Sequence, residues 1–142
     1  MNCVPGNEPP QHRPPPLLLD THALLWWLDG NQDLSHPARQ AIGEDHREVF
    51  VSAASAWEIA TKVRIGKLPD AVYVAEHFAQ ILDDQAFRQL PITVAHARRA
   101  GLMPGAHRDP FDRMLIAQAQ IEGLILVSNE TLFDRFGVQR LW

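Results

Sequence analysis

Short apolar runs alternate with longer amphipathic segments along most of this chain, and this alternation restricts the possible folds more than any other feature of the sequence. The apolar runs predict short strands at 17–19, 48–53, 90–92, 124–127 and 138–142. Helical spacing and capping residues predict helices at 21–28, 35–44, 55–65, 70–82, 93–102 and 109–122. Strands that alternate with helices form a parallel sheet with helices on both faces, so we expect an α/β fold of this kind.

Residues 1–16 differ from the rest of the chain, because they contain six of its eleven prolines. Proline removes a backbone donor and fixes φ, so we predict a disordered, proline-rich leader at 1–16 and a folded domain at 17–142. The leader lacks the apolar core of a signal peptide, and the longest apolar stretch, 23–28, is far shorter than the ~20 residues that cross a bilayer. The single cysteine, Cys3, excludes an internal disulfide and a cysteine-based zinc site, and we expect a cytoplasmic protein.

Acidic residues outnumber basic ones by 17 to 13, which gives the chain a formal net charge of -4. This balance excludes a basic module that binds nucleic acid by charge alone. It allows an enzyme of nucleic acids whose negative charge is concentrated in one pocket.

Four acidic residues fall where the predicted fold would bring them to one edge of the sheet. Asp20 follows the first strand, and Glu58 lies one helical turn after the second. Asp112 opens the helix that leads into the strand 124–127, and Glu130 follows that strand. Ligands of open parallel sheets bind outside the carboxyl ends of the strands, so we expect these four carboxylates to converge there.

Carboxylates that converge repel one another, and burial increases the cost of their charge. A hard divalent cation relieves this repulsion, and Mg²⁺ or Mn²⁺ prefers such oxygen ligands. A cation held in this way can lower the pKa of a bound water and neutralise a phosphodiester during attack. The four acids therefore predict metal-assisted phosphodiester hydrolysis, with either one or two metal ions.

Each of these acids also fits an ordinary structural role. Asp20 is a favoured N-cap for the helix that follows it. Ser55 and Glu58 have the spacing of a capping box, which is the favoured interpretation of Glu58 taken alone. Asp109 is followed by Pro110, a pattern typical of a cap with proline at the first helical position.

Four segments together resemble PIN-domain proteins, and among them the VapC-type toxins of bacterial toxin–antitoxin pairs. The resemblance covers residues 17–142 and rests on LLLDTHALLWWL, SAASAWEIATKVRIGKL, HRDPFDRMLIAQA and LILVSNETLFDRFGVQRLW. It implies a three-layer α/β/α fold with a central parallel sheet and a Mg²⁺- or Mn²⁺-dependent endoribonuclease that cleaves RNA by metal-activated water. It also implies inhibition by a cognate antitoxin protein and assembly as a homodimer.

Carried over to this sequence, the resemblance implies that Asp20, Glu58 and Asp112 bind the metal and act in catalysis. Asp112 is preferred to Asp109 because its distance to the helix-ending glycine matches the spacing in the family. The fourth family position usually reads T-x-D, where this chain has Ser128-Asn129-Glu130. Glu130 is longer than aspartate and would have to approach the metal differently, for example through a water molecule.

Four further residues near these acids are secondary candidates. Thr21 and Ser128 can hydrogen-bond a metal-bound water or a phosphate, although both residue types are common at strand ends and caps. Lys62 lies four residues after Glu58, where a helical ion pair is expected, and could instead contact RNA phosphate. Arg113 could contact phosphate or orient the neighbouring Asp112.

Other function classes fit the sequence less well. An aspartyl phosphatase would place a second acid two residues after Asp20, where this chain has His22. A receiver domain needs a late lysine, and no lysine follows Lys67. The alternative that stays open is a PIN-like module that binds RNA or a partner without turnover. The apolar run 23–28 exceeds what one helix face requires, so we expect part of it in a dimer or antitoxin contact.

Overall fold

The computed structural model describes residues 13–105 and 108–142 of the 142-residue chain. Most of the predicted leader, residues 1–12, lies outside the described residues. Its last two residues are hydrogen-bonded to the domain: the Pro15 carbonyl accepts from Arg47 Nε at 2.9 Å and the Pro16 carbonyl accepts from the Ile125 N–H at 3.0 Å. No helix in the described ranges is long and apolar enough to cross a membrane.

The strands form one five-stranded sheet in which every neighbouring pair is parallel, in the order β3-β2-β1-β4-β5. Their bounds are β1 Leu17–Leu19, β2 Val49–Ser52, β3 Arg88–Leu90, β4 Ile125–Val127 and β5 Arg140–Leu141. Helices flank the sheet, and this architecture confirms the α/β/α fold that the sequence predicts.

In the described part of the chain, seven α-helices connect the strands, with short 3-10 turns at Pro69–Ala71 and Thr131–Phe136. The helices are α1 Thr21–Asp29, α2 His36–Ile42, α3 Ala53–Arg64, α4 Val72–Glu76, α5 Phe78–Asp84, α6 Val94–Leu102 and α7 Pro110–Glu122. Five of them begin after an N-cap whose side chain accepts a backbone N–H bond, and the sequence predicts three of these caps, Asp20, Ser35 and Asp109. The other two N-caps are Ser52 and Thr93.

Several predicted bounds are wrong: the helix predicted from residue 55 begins at Ala53, the strand predicted at 138–142 is Arg140–Leu141, and two further elements differ for reasons that the backbone shows. The single helix predicted at 70–82 is divided at His77, whose backbone leaves the helical region (φ -121°, ψ 30°) while its ring stacks on Tyr73. The strand predicted at 90–92 lies two residues earlier, because Leu90 pairs with Ser52 in the sheet and Pro91 has no N–H to continue the ladder.

Side chains of β1 alternate between two cores, one on each face of the sheet. Leu17 and Leu19 pack with the buried residues of α1, α2 and α3, whereas Leu18 packs with those of α7. All three leucines are completely buried. A strand that is apolar on both faces is typical of a parallel sheet between two helical layers.

The order of the strands creates a switch point in the middle of the sheet. After β1 the chain moves to β2 on one side, and after β4 it moves to β5 on the other. The crevice at such a point, outside the carboxyl ends of the strands, is where open parallel sheets bind ligands. Asp20 follows β1 and Ser128 follows β4, so both residues lie at this crevice.

Candidate active site

Asp20 is a buried carboxylate at the switch point, only 5% exposed. Its backbone N–H donates to the Val127 carbonyl at 3.1 Å, which extends the contact between β1 and β4 by one residue. Its Oδ1 accepts from the Ala23 N–H at 2.8 Å, and the Ser128 hydroxyl donates to the same carboxylate. Asp20 therefore caps α1 and also places a carboxylate in the crevice, so the two sequence interpretations are compatible.

Burial raises the pKa of Asp20 above its ordinary value. The hydrogen bonds from Ser128 and Ala23 and the nearby His22 oppose this rise, whereas the negative charge of Glu58 adds to it. The ionised form of Asp20 thus lies in surroundings that disfavour its charge. A cation beside it would relieve that cost.

Glu58 is also 5% exposed, and it is not part of a capping box. Helix α3 begins at Ala53 directly after β2, with Ser52 as the N-cap, so Ser55 lies inside the helix. The predicted pairing of Glu58 with the Ser55 amide is therefore wrong. Glu58 instead accepts from the Thr21 hydroxyl and from Lys62 Nζ at 2.8 Å, which confirms the expected helical ion pair with Lys62.

Thr21 joins the first helix to the third beside Asp20. Its hydroxyl donates to Glu58 and lies 3.2 Å from the Ser55 hydroxyl. A threonine has one hydroxyl hydrogen, so Ser55 is the donor in that second contact. Ser55 is a site residue that the sequence analysis missed. The signal available was its spacing from Glu58, because residues three apart share one helix face.

Asp109 has a structural role at the start of α7. Its Oδ1 accepts from the Phe111 N–H at 2.9 Å and from the Asp112 N–H at 3.3 Å, which is the cap predicted from the sequence. Asp112 is half-buried in the first turn of α7. The ring of Phe111 meets that of Trp57 edge-on, with centroids 5.0 Å apart. These rings belong to the chain neighbours of Asp112 and Glu58, so α7 begins alongside the Glu58 segment of α3.

Arg113 binds the carboxyl end of α6. Its Nε donates to the Ala100 carbonyl at 3.0 Å, and its Nη2 donates to the carbonyls of Gly101 and Met103. Carbonyls at the end of a helix lack partners within the helix, and an arginine can satisfy several of them. These contacts tie the carboxyl end of α6 and Met103 to the first turn of α7, which carries Asp112.

Glu130 lies on the exposed side of the crevice, one turn of chain beyond β4. Its backbone N–H donates to Ser128 Oγ at 3.0 Å, and its side chain is exposed to solvent. Within residues 13–105 and 108–142, no three His, Cys, Asp or Glu side chains lie close enough to hold one metal ion together. The structure thus brings Asp20 and Glu58 together, but it does not gather all four predicted acids into one cluster.

The donors at the crevice nevertheless fit a hard divalent cation. They are carboxylate and hydroxyl oxygens, which Mg²⁺ and Mn²⁺ prefer, from Asp20, Glu58, Thr21, Ser55 and Ser128. Burial raises the pKa of Asp20 despite its hydrogen bonds, so its negative charge is costly there without a cation. A metal held there would be bound by Asp20 and Glu58 from inside the crevice.

Comparison with known proteins gives a family match over most of the chain. The model of the PIN domain matches residues 17–139. Ribonuclease VapC22 of Mycobacterium tuberculosis is 33% identical over 115 residues, which cover 80% of this chain and 86% of that protein.

Solved structures share the fold at lower sequence identity. A chain of VapBC2 from Rickettsia felis, bound to a DNA fragment from the promoter, superposes with a TM-score of 0.63 at 15% identity, covering 88% of this chain and 96% of that one. A chain of a toxin–antitoxin complex from Klebsiella pneumoniae gives a TM-score of 0.57 at 21% identity, covering 81% and 87%.

Proposed function

This chain belongs to the PIN-domain family, in which its 33% identical relative is a VapC ribonuclease, and we propose that it is a divalent-metal-dependent endoribonuclease acting as the toxin of a toxin–antitoxin pair. One observation carries the chemical part of the proposal: Asp20 and Glu58 are both buried at the switch point of the sheet and linked through Thr21. Buried acids with a raised pKa mark functional sites more often than ordinary surfaces.

In this proposal Asp20, Glu58, Asp112 and Glu130 hold Mg²⁺ or Mn²⁺ and act in catalysis. The bound cation supplies positive charge beside the phosphodiester and a more acidic water for its hydrolysis. The chain's own residues orient the ligands: the Ala23 N–H and the Ser128 hydroxyl fix Asp20. Fixed ligands lower the cost of reaching the reactive geometry.

Glu58 is oriented on both of its oxygens. Thr21 donates to Oε1 and Lys62 donates to Oε2, so the carboxylate cannot rotate without breaking a hydrogen bond. The Lys62 side chain is about one-third exposed (32%), which leaves its ammonium at the border between the buried acids and solvent. From this place Lys62 could also contact an approaching phosphate.

Metal and RNA binding are coupled by charge in this proposal. The chain has a net charge of -4, and its buried acids repel phosphate until a cation offsets them. RNA is therefore expected to bind the crevice tightly only together with Mg²⁺ or Mn²⁺. The same reasoning, with the single cysteine, supports the expected cytoplasmic location, where RNA and reduced thiols are found.

An antitoxin protein is the proposed inhibitory partner. The structural relatives from Rickettsia felis and Klebsiella pneumoniae are parts of toxin–antitoxin assemblies. The run 23–28 offers a surface for such a contact, because Trp26 and Trp27 are only half-buried, Trp26 against Trp142 and Trp27 against Phe87. Trp26 and Leu25 also line a groove of about 410 Å³ between α1 and the segment 67–74.

A homodimer is the second proposed assembly. Exposed apolar side chains lie on α3 and α6, where Trp57 is 62% exposed, Val94 78% and Leu102 75%. Trp57 borders an apolar cavity of about 240 Å³ between α3, α6 and α7. Apolar area of this kind on a monomer is typical of a surface that a partner covers.

A cleavage assay with defined metals tests the proposed activity. The purified protein is offered a panel of structured RNAs in Mn²⁺, in Mg²⁺ or in EDTA. We expect cleavage with either metal and none in EDTA, and the Asp20→Asn variant serves as the folded, inactive control. Failure to cleave any RNA of the panel with metal present would overturn the proposal.

The second candidate function is binding without turnover. Glu130 stands where the family usually has aspartate, and the residue is exposed to solvent. A protein of this kind would retain an RNA of the panel in a metal-dependent gel shift but leave it uncut. The same experiment therefore separates an enzyme from a binding module.

A further inference from the structure

Arg140 makes an unusually complete set of hydrogen bonds for a side chain on an edge strand. Its Nε and Nη2 donate to the two carboxylate oxygens of Asp134, at 2.9 and 3.2 Å. Its Nη1 donates to the Ser128 carbonyl at 3.0 Å. A guanidinium that binds a carboxylate at two points has one orientation only, so the third bond is directed as well.

Ser128 is thereby held by β5 through both of its backbone polar groups. Its carbonyl accepts from Arg140, and its N–H donates to the Leu141 carbonyl at 3.2 Å. The residue is completely buried. The backbone of Ser128 is thus fixed on both sides, and its Oγ, which rotates about χ1, is held by the Glu130 N–H at 3.0 Å.

The hydroxyl of Ser128 connects two of the proposed metal-binding acids. It donates to the carboxylate of Asp20 and accepts the backbone N–H of Glu130 at 3.0 Å. One side chain therefore sets the orientation of the Asp20 carboxylate and the path of the chain at Glu130. A shift of Ser128 would move both acids relative to each other.

We propose that Arg140, clamped by Asp134, is a positioning residue that holds Ser128 and, through it, the Asp20 carboxylate and the backbone at Glu130. This inference rests on the proposed metal-dependent ribonuclease function. Arg140 acts through Ser128 and touches neither acid.

The electrostatics of the pair agree with a permanent clamp. The hydrogen bond from Arg140 lowers the pKa of Asp134, and the bond to Asp134 raises the pKa of Arg140. Both partners are therefore charged at neutral pH, as the two-point hydrogen bonding between them requires. Arg140 itself is largely shielded, with 18% of its side chain exposed.

A purely structural role for Arg140 makes a different prediction. Strand β5 is also held by backbone bonds, from the Leu126 N–H to the Gln139 carbonyl and from the Ser128 N–H to the Leu141 carbonyl. These bonds persist when the guanidinium is removed. If Arg140 only stabilised the strand, its loss would lower the melting temperature without changing the chemistry at Asp20.

The test compares Arg140→Met with Arg88→Met. Arg88 is the matched control, since it lies on the opposite edge strand and pairs with Glu48 at 3.2 Å, far from the crevice. We measure kcat and KM on an RNA that the wild type cleaves, the Mn²⁺ Kd by electron paramagnetic resonance, and hydrogen exchange of the Glu130 amide. Loss of an outer partner of a metal ligand costs about 10- to 100-fold in affinity or activity.

For Arg140→Met we therefore expect kcat to fall at least about 10-fold with KM little changed, the Mn²⁺ Kd to rise, and the Glu130 amide to exchange faster. Arg88→Met should leave all three unchanged. Asp134→Asn keeps the shape of the side chain but weakens its two-point contact with Arg140, so it should show a smaller change in the same direction. It carries the test if Arg140→Met does not fold.

Two results overturn the inference: wild-type kcat in Arg140→Met, or unchanged exchange at Glu130 in both clamp variants. A wild-type protein that cleaves no RNA instead contradicts the proposed function. In that case the exchange rate of the Glu130 amide and the Mn²⁺ Kd still show whether Arg140 positions Ser128 and Glu130. Failure of the inference can therefore be distinguished from failure of the proposed function.

Discussion

The inner and outer acids of the crevice are held in different ways. Asp20 and Glu58 are buried, and hydroxyl, amide or ammonium donors orient their carboxylates. Asp112 is half-buried in the first turn of α7, and Glu130 is exposed beyond β4. The inner pair is thus preorganised by the fold, whereas the outer pair lies where a ligand or a partner can still change its position. Burial therefore distinguishes the inner pair of acids from the outer pair.

The largest effect is expected when either inner carboxylate is neutralised. Asp20→Asn and Glu58→Gln keep the size of the side chain and an oxygen for the Ala23 N–H or the Thr21 hydroxyl, but each removes a negative charge. Loss of one preorganised charged group at a reactive site costs about 100- to 1,000-fold in kcat. RNA cleavage rates in Mn²⁺ measure the effect.

The exposed acid Glu76 of α4 provides the control for the inner pair, because Glu76→Gln makes the same chemical change away from the crevice. It should retain full activity. If Glu58→Gln cleaved RNA at the wild-type rate, Glu58 would not be part of the active site, and Asp20 would be the only inner acid needed for activity.

A smaller effect separates two neighbouring acids of α7. Asp112→Asn is expected to weaken Mn²⁺ binding about 10-fold, because it removes a proposed metal ligand. Asp109→Asn should change it little, since asparagine also caps helices and can accept the N–H bonds of Phe111 and Asp112. Calorimetric titration with Mn²⁺ gives both values, and equal losses in the two variants would contradict the assignment of Asp112.

The smallest effect concerns stability and follows from the sign of one pKa shift. Burial raises the pKa of Asp20 in the folded protein, so ionisation of Asp20 at neutral pH lowers the free energy of unfolding. Asp20→Asn should therefore melt above the wild type at pH 7, by ~4 °C for each 1 kcal/mol of relief. The advantage should shrink as the pH falls through the raised pKa toward 3.8, the ordinary pKa of an aspartate carboxyl.

Thermal melting with and without Mn²⁺ sharpens this last prediction. A metal that binds only the folded state raises its melting temperature, and the gain should be large in the wild type and small in Asp20→Asn. A variant that is less stable than the wild type at pH 7 without metal would show that the hydrogen bonds to Asp20 outweigh the cost of its burial.

The sequence predicted the strands and helices that position the site, because their signals are local. Apolar runs gave β1, β2 and β4 to within a residue or two, and capping residues gave the starts of α1 and α7. The order of these elements implied a parallel sheet, and a parallel sheet implied that Asp20 lies at its carboxyl edge.

Other features depended on distant contacts. The capping box at Ser55 was a plausible local pattern, but β2 ends at Ser52 and the helix begins directly after it, which turns Ser55 and Glu58 toward Thr21. The register of β3 followed from its pairing with β2. Neither fact is encoded within a few residues of the chain.

Hydrophobic periodicity and the chemistry of single side chains were therefore sufficient to predict the α/β class, the element order and the acidic residues available for a site. Which acids become a buried pair, and which residues hold them, depends on contacts between distant segments. Thr21 reaches Glu58 across 37 positions of sequence, and Arg140 reaches Ser128 across 12. Such contacts form only when the sheet brings separate segments together, and no local pattern specifies them.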